Sequence, residues 1–130
     1  MKSYDVVAMG ELLIDFTENG RSEQGNALFE ANPGGAPCNV LAMLRKLDKS
    51  CAFVGKVGDD MFGRQLRDVV REAGIDTDGL LFDRDVRTTL AFVQTLPGDS
   101  YVTEFNGDAA NVISNGYTLY VNGAALSGTR

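Results

Sequence analysis

The chain contains no histidine and no tryptophan, and only two cysteines and three prolines. The first absence removes several chemistries at once. His-ligated zinc, Ser-His-Asp triads and Cys-His pairs are excluded, so any acid–base work falls to carboxylates, lysine or tyrosine. Basic residues are outnumbered 12 to 18, giving a net charge of −6 and a pI near 4.5. A nucleic-acid partner calls for a basic face, so that class is set aside. No window approaches the roughly 18 consecutive apolar residues of a membrane span, so no membrane partner is expected. The N-terminus, Met1-Lys2-Ser3-Tyr4-Asp5, lacks a signal-peptide pattern because Asp5 interrupts it and the apolar run that follows is short. The cytoplasm is the expected location. Two cysteines, Cys38 and Cys51, are too few for a disulfide scaffold. Cys38 falls near a predicted helix N-terminus, which lowers a thiol pKa. Burial is the commoner fate of cysteine, and inert, buried thiols are the expectation for both.

What is present fits one globular domain, or part of one: 130 residues, 44% of them hydrophobic. Asp5–Gly10 reads as a buried strand. In Leu12–Thr17 alternation sets Leu12, Ile14 and Phe16 on one side and Leu13, Asp15 and Thr17 on the other. Asp is depleted in strands, so Asp15 is either a turn or cap residue or a carboxylate aimed at a polar ligand. Polar Glu18–Asn26 reads as a loop, and Ala27–Ala31 as a second short strand. Pro37–Leu47 carries Val40, Leu41, Leu44 and Leu47 at helical spacing, which predicts that this stripe is buried. Cys51–Val57 is nearly all apolar, as a strand covered on both faces would be. Asp59 or Asp60 then suits the N-cap of a helix whose apolar face is Phe62, Leu66, Val69, Val70 and Ala73. Capping explains this Asp pair better than a metal would, since no third ligand is nearby. Gly74 followed by Ile75 reads as the helix stop. Short strands are expected at Leu80–Phe82, Thr88–Leu96, Tyr101–Phe105 and Tyr117–Val121, with Asn122–Arg130 trailing off.

The stretch Gly34-Gly35-Ala36-Pro37-Cys38-Asn39 joins strand to helix. Paired glycines let a backbone turn sharply and approach a ligand. Pro37 suits a first helical turn, and Asn39 lies on a helix end whose free N–H groups favour oxygen-rich ligands. A plain strand-to-helix turn that merely needs glycine is the alternative. No Walker phosphate loop is present: Gly55-Lys56 resembles its end, but Ser50 and Val57 stand where Gly and Ser/Thr are required.

Taken together these stretches resemble one family in order and spacing. Met9–Phe16, Gly34–Val40, Phe53–Gly63, Gly74–Thr77 and Thr88–Val93 look like the N-terminal half of the PfkB-type, ribokinase-like carbohydrate kinases, fructokinases in particular. The resemblance implies an α/β fold, part of a doubly wound Rossmann-like sheet with a small β-sheet lid from about residues 12–33 and 88–106, all within a single truncated domain spanning 1–130. It implies that Asp15 hydrogen-bonds sugar hydroxyls, that the backbone at Gly34 and Gly35 approaches the sugar, and that the Asn39 side chain holds another hydroxyl. Phe92 and Phe105 would close the lid over the sugar, fructose or a similar one. A polyol site needs such convergent polar groups with an apolar cover. ATP and Mg2+ are the cofactors the family implies.

The departures bear on activity. Such kinases are considerably longer, and their catalytic Asp, Gly-Ala-Gly-Asp anion hole and most of the ATP site lie in the C-terminal half. No G-x-G-D occurs here. Asp48 stands where the family usually has Gly after the first helix, and Leu119–Ser127 resembles the next core strand, reached by a shortened connection. The expectation is therefore a sugar-binding half without catalytic competence of its own. Uncovered apolar surface on a half-sheet predicts self-association, a dimer or larger homo-oligomer formed through the lid or by strand exchange. The alternatives are a structural protein derived from a sugar kinase and a kinase completed in trans by a separate C-terminal half.

Overall fold

In the computed structural model, residues 2–96, 100–106, 119–121 and 124–126 are described. In chain order the elements are β1 (Val6–Met9), β2 (Leu13–Arg21), β3 (Ala27–Gly34), α1 (Ala36–Lys46), β4 (Cys51–Gly58), α2 (Met61–Glu72), β5 (Asp76–Asp83), β6 (Leu90–Leu96), β7 (Ser100–Asn106), β8 (Leu119–Val121) and β9 (Ala124–Leu126). They form a parallel sheet β1-β4-β5, a mixed sheet β3-β2-β6-β7, and the pair β8-β9.

Both crossovers of the parallel sheet run in the same direction, and crossovers are right-handed, so α1 and α2 lie on one face. Strand β4 alternates accordingly. Cys51, Phe53 and Val57 join Cys38 and Leu41 of α1 and Leu66 and Val70 of α2 in one core with Leu12, Ile14, Ile75 and Leu80. On the opposite face of β4 the buried Lys56 ammonium pairs with Asp83 of β5 at 2.9 Å. Gly55-Lys56 is thus strand interior and no phosphate loop.

Helix α2 ends in a Schellman arrangement. Gly74 has a φ of +77°, and the N–H groups of Gly74 and Ile75 donate to Arg71 O and Val70 O at 2.8 and 3.2 Å. Helix α1 ends the same way, but the left-handed position is Asp48, with φ +57°. Asp48 N–H donates to Arg45 O and Lys49 N–H to Leu44 O, each at 3.1 Å.

Several expectations shift. The buried stripe of α1 is Cys38 and Leu41, whereas Val40 and Leu47 are 57% and 67% exposed. The Gly35 turn sets the phase of the helix and turns Cys38 inward, which rotates Val40 and Leu47 away. On α2, Phe62, Leu66 and Val70 pack on the core, while Val69 and Ala73 face outward. The polar stretch 18–21, read as loop, continues β2 as far as Arg21, pairing with β3. Backbone pairing sustains a strand there without burial. Strand β5 is longer than Leu80–Phe82, spanning Asp76–Asp83. Finally, β8 falls within the expected strand Tyr117–Val121 and pairs antiparallel with β9, which lies in the stretch expected to trail off; among the described residues β8 does not pair with β1-β4-β5 as the next core strand would.

Candidate functional site

At the carboxyl end of β1 the segments 10–15 and 34–37 lie against each other, contact by contact. A side chain on Gly10 would start 2.6 Å from Pro37 Cγ. Ala36 N–H donates to Glu11 Oε1 at 3.1 Å. A side chain on Gly35, whose φ is +123°, would overlap the carbonyl oxygen of Glu11, and one on Gly34 would overlap Asp15 Oδ2. The glycine pair is thus required twice over: Gly35 for its backbone angle, Gly34 because the Asp15 carboxylate occupies the space of its side chain.

Asp15 lies mid-strand in β2, with Asn32 of β3 on one side and Ala91 of β6 on the other. Burial pushes its carboxyl above the usual range. No cation and no hydrogen-bond donor is paired with it among the described residues, a rare state for a half-buried carboxylate in a strand. Asn32 shares its face and is exposed; apart from a long 3.4 Å contact from Nδ2 to Glu30 O, its side chain is unengaged.

Asn39 is exposed in the first turn of α1, its N–H already donated to Gly35 O at 3.1 Å. With Gly34 it borders a cavity of about 250 Å3 whose other walls include Leu12, Ala42, Val69, Val70 and Ile75. Those walls are apolar and Asp15 is not among them. Apart from Asn39 the walls offer no polar side chain, whereas Asp15, Asn32 and the Gly34-Gly35 turn bring polar groups together. Cys38, beside it, is buried and its thiol is pushed up to about 11, the inert outcome.

Phe92 requires a correction. Parallel register pairs Asp15 with Ala91 and Phe16 with Phe92. Alternation then turns Phe92 to the face opposite Asp15. There it stacks on Phe16 at 5.2 Å and meets Phe29 edge-on at 6.4 Å, while Phe16 reaches Phe62 of α2 at 5.5 Å. Phe92 therefore does not share a surface with Asp15. Phe105 pairs with Ala91 in the backbone of β7, but its side chain lies outside the described residues.

The sequence model of the pfkB family carbohydrate kinases matches residues 3–123. The chain belongs to that family. It is 51% identical over 96 residues to probable fructokinase-7 of Arabidopsis thaliana, covering 72% of this chain and 28% of that protein. It is 49% identical over 90 residues to fructokinase-2 of Oryza sativa subsp. japonica, covering 68% and 27%. Among solved structures, fructokinase from Xylella fastidiosa superposes with a TM-score of 0.71 at 36% identity, over 77% of this chain and 32% of that one. A sugar kinase from Pyrococcus horikoshii, in complex with ATP, gives 0.70 at 34% identity over 80% and 34%. This pfkB-family chain thus has the Rossmann-like α/β fold of the ribokinase-like kinases and spans less than a third of the curated relatives just named.

Two residues that lie against these positions went unread in the sequence. Glu11 is the side-chain partner of the first α1 N–H, and Asn32 is the cross-strand neighbour of Asp15. Counting by twos back from Gly34 puts Asn32 on the Asp15 face; nothing local signals Glu11.

Proposed function

We propose that this chain is the sugar-binding portion of a fructokinase-like, ATP-dependent carbohydrate kinase, cytoplasmic, and that it does not phosphorylate sugar alone. The observation that carries the reading is the half-buried, unpaired Asp15 carboxylate held against Gly34. An acceptor withdrawn from water and left without a donor suits a ligand that brings its own O–H groups. Backbone at Gly34 and Gly35 supplies the close approach, Asn32 and Asn39 supply further polar groups, and the β3-β2-β6-β7 sheet is the lid. Phe105 remains the candidate cover, and Phe92 belongs to the outer aromatic cluster.

ATP and Mg2+, which the family implies, are not assigned to the residues described, because the sequence lacks the glycine-rich helix start followed by Asp. Phosphoryl transfer needs a base for the sugar hydroxyl and donors for the developing charge, so that chemistry is assigned to a part of the enzyme beyond this chain. Calorimetry with fructose tests the binding half of the proposal: the expected heat disappears in Asp15→Ala. A coupled assay with ATP tests the other half, and turnover by the 130-residue chain above an Asp15→Ala control would overturn it.

A second reading, association with another chain, is favoured by apolar exposure. Val40, Met43 and Leu47 form one stripe along α1 and are 57%, 59% and 67% exposed. A separate C-terminal half is the occupant this stripe suits, and activity appearing only on mixing with such a half identifies it.

A further inference from the structure

We infer that the end of the parallel sheet remote from Asp15 holds a second binding site, for a small phosphate-bearing anion gripped by Arg45 and Arg71. An open cavity of about 480 Å3 lies there, beside Gly74, and its walls include Arg45, Arg71, Lys2, Tyr4 and Asp76. Arg45 and Arg71 border it with no carboxylate bonded to either among the described residues, against a chain whose net charge is −6. Such a local reversal of sign concentrates anions.

The donor inventory supports the same assignment. Each guanidinium has five N–H groups in a planar fork that matches phosphate oxygens. Arg45 commits Nη1 to Lys49 O at 2.7 Å, and its Nε is buried with no partner. Arg71 commits Nε to Thr77 Oγ1 at 2.8 Å. Those bonds orient both groups and leave most of their donors unused. Gly74 keeps the space beside them clear: a side chain there would start 3.0 Å from Arg45 Nε and Nη2. Lys2 is not the anchor, because its ammonium is held by Asp76 at 2.6 Å and Asp78 at 2.7 Å. Its effect is to offset those carboxylates, which would otherwise repel an incoming anion.

The site is independent of the sugar reading. Cys51, at the start of β4, borders the cavity, while the Asp15 motifs lie at the carboxyl ends of the strands. Eight strand residues at about 3.3 Å each separate the two ends by roughly 25 Å. Helix α1 nonetheless links them, with Asn39 in its first turn and Arg45 in its last.

The test is an amide-resolved NMR titration of the chain with inorganic phosphate, at ionic strength held constant with sodium chloride. Saturable shifts centred on Gly74, Arg45 and Arg71 are expected, with half-saturation on the order of millimolar. Arg71→Gln, at an exposed position, should weaken binding about tenfold, the loss of one charge-assisted contact. Asp78→Asn removes a competing carboxylate, one of the two partners of Lys2, from an exposed position and should tighten binding roughly twofold, a screened surface charge effect. Asp15→Ala should leave the titration unchanged, so this inference and the sugar reading fail separately. Shifts that grow linearly with phosphate, or that are the same in the wild type, Arg71→Gln and Asp78→Asn, would overturn the assignment.

Discussion

At Asp48 the chain accepts a left-handed conformation without the residue suited to it. Its φ of +57° ends α1, and its Cβ costs roughly 1 kcal/mol that glycine would not incur. Asp48→Gly should therefore stabilise the chain by about 1 kcal/mol, read as a higher urea midpoint at unchanged slope. An unchanged or lower midpoint would show that the Asp side chain makes up the cost. Asp15 has the opposite character, a residue whose burial opposes stability. Its folded pKa lies above the unfolded value, so its contribution is most favourable at low pH and is lost as pH rises through the folded pKa. Asp15→Asn should stabilise the chain at pH 7, by under about 1 kcal/mol because solvent screens a half-exposed group, read as a higher thermal midpoint, while abolishing the heat of fructose binding. A lower midpoint would mean that the carboxylate has a structural partner. From sequence, Asp15 and Gly34 each stand out through residue type, but their contact spans 19 positions and depends on the register of β2 with β3. No local pattern encodes that register.

Elements were legible where period and punctuation agreed. Helix α2 has Asp60 as its N-cap, accepting from Gly63 N–H at 2.9 Å, and Gly74 at its end, both predictable from spacing. What spacing does not reveal is that Asp60 also latches a distant element. Its carboxylate accepts from Thr88 N–H at 2.9 Å and from Thr88 Oγ1 at 2.7 Å, while Thr88 Oγ1 accepts from Gly58 N–H at 3.0 Å. Thr88 lies just before β6 and is 2% exposed, so this cluster fixes where that strand leaves the core. Glycine at 63 is required by it, since a side chain there would overlap Gly58 O. Thr88→Val keeps the shape and removes the hydroxyl, leaving Asp60 and Gly58 short of partners, and should cost about 2 kcal/mol. Thr88→Ser should cost less. Burial raises the Asp60 pKa, but the bonds from Thr88, Gly63 and Phe62 outweigh it and hold the carboxyl below its usual range. Its stabilisation is complete above the unfolded pKa, about 4, and is lost as pH falls through the lower folded value. Thr88→Val should accordingly show a shallower loss of stability on acidification, measured by urea melts between pH 5 and 2. An identical acid slope would sink the latch. The α1 stripe and the placement of Phe92 escaped the sequence for a different reason. Two overlapping apolar stripes fit α1, and the facing of β6 depends on its partner strand, so local periodicity had no means of choosing.

Across the whole molecule, the apolar groups that no described element covers decide how the chain behaves in solution. They lie in separate places: the α1 stripe, Val7 of β1 at 56% exposure and Leu81 of β5 at 45%, and the lid cluster. Single exposed apolar side chains are ordinary, so contiguity must rank them. Phe29 and Phe92 are 45% and 38% exposed, and they continue the ring cluster that begins at Phe16. Their sheet also ends in β3, an edge strand with unpaired backbone groups on one side, which favours association by strand contact. The α1 stripe is narrower and carries no aromatic ring. Self-association should therefore run through the β3-β2-β6-β7 sheet. Multi-angle light scattering at micromolar concentration should report a dimer or larger species, and Phe29→Asp should shift it towards monomer by burying a charge without a partner. Met43→Asp, on α1, should leave the mass unchanged. A shift with Met43→Asp and none with Phe29→Asp would move the interface to the helix face, and a wild-type monomer would remove self-association altogether. The net charge of −6 opposes any such assembly through long-range repulsion, so the associated fraction should rise as salt increases from 0.01 to 0.15 M, where the screening length falls from about 30 to about 8 Å.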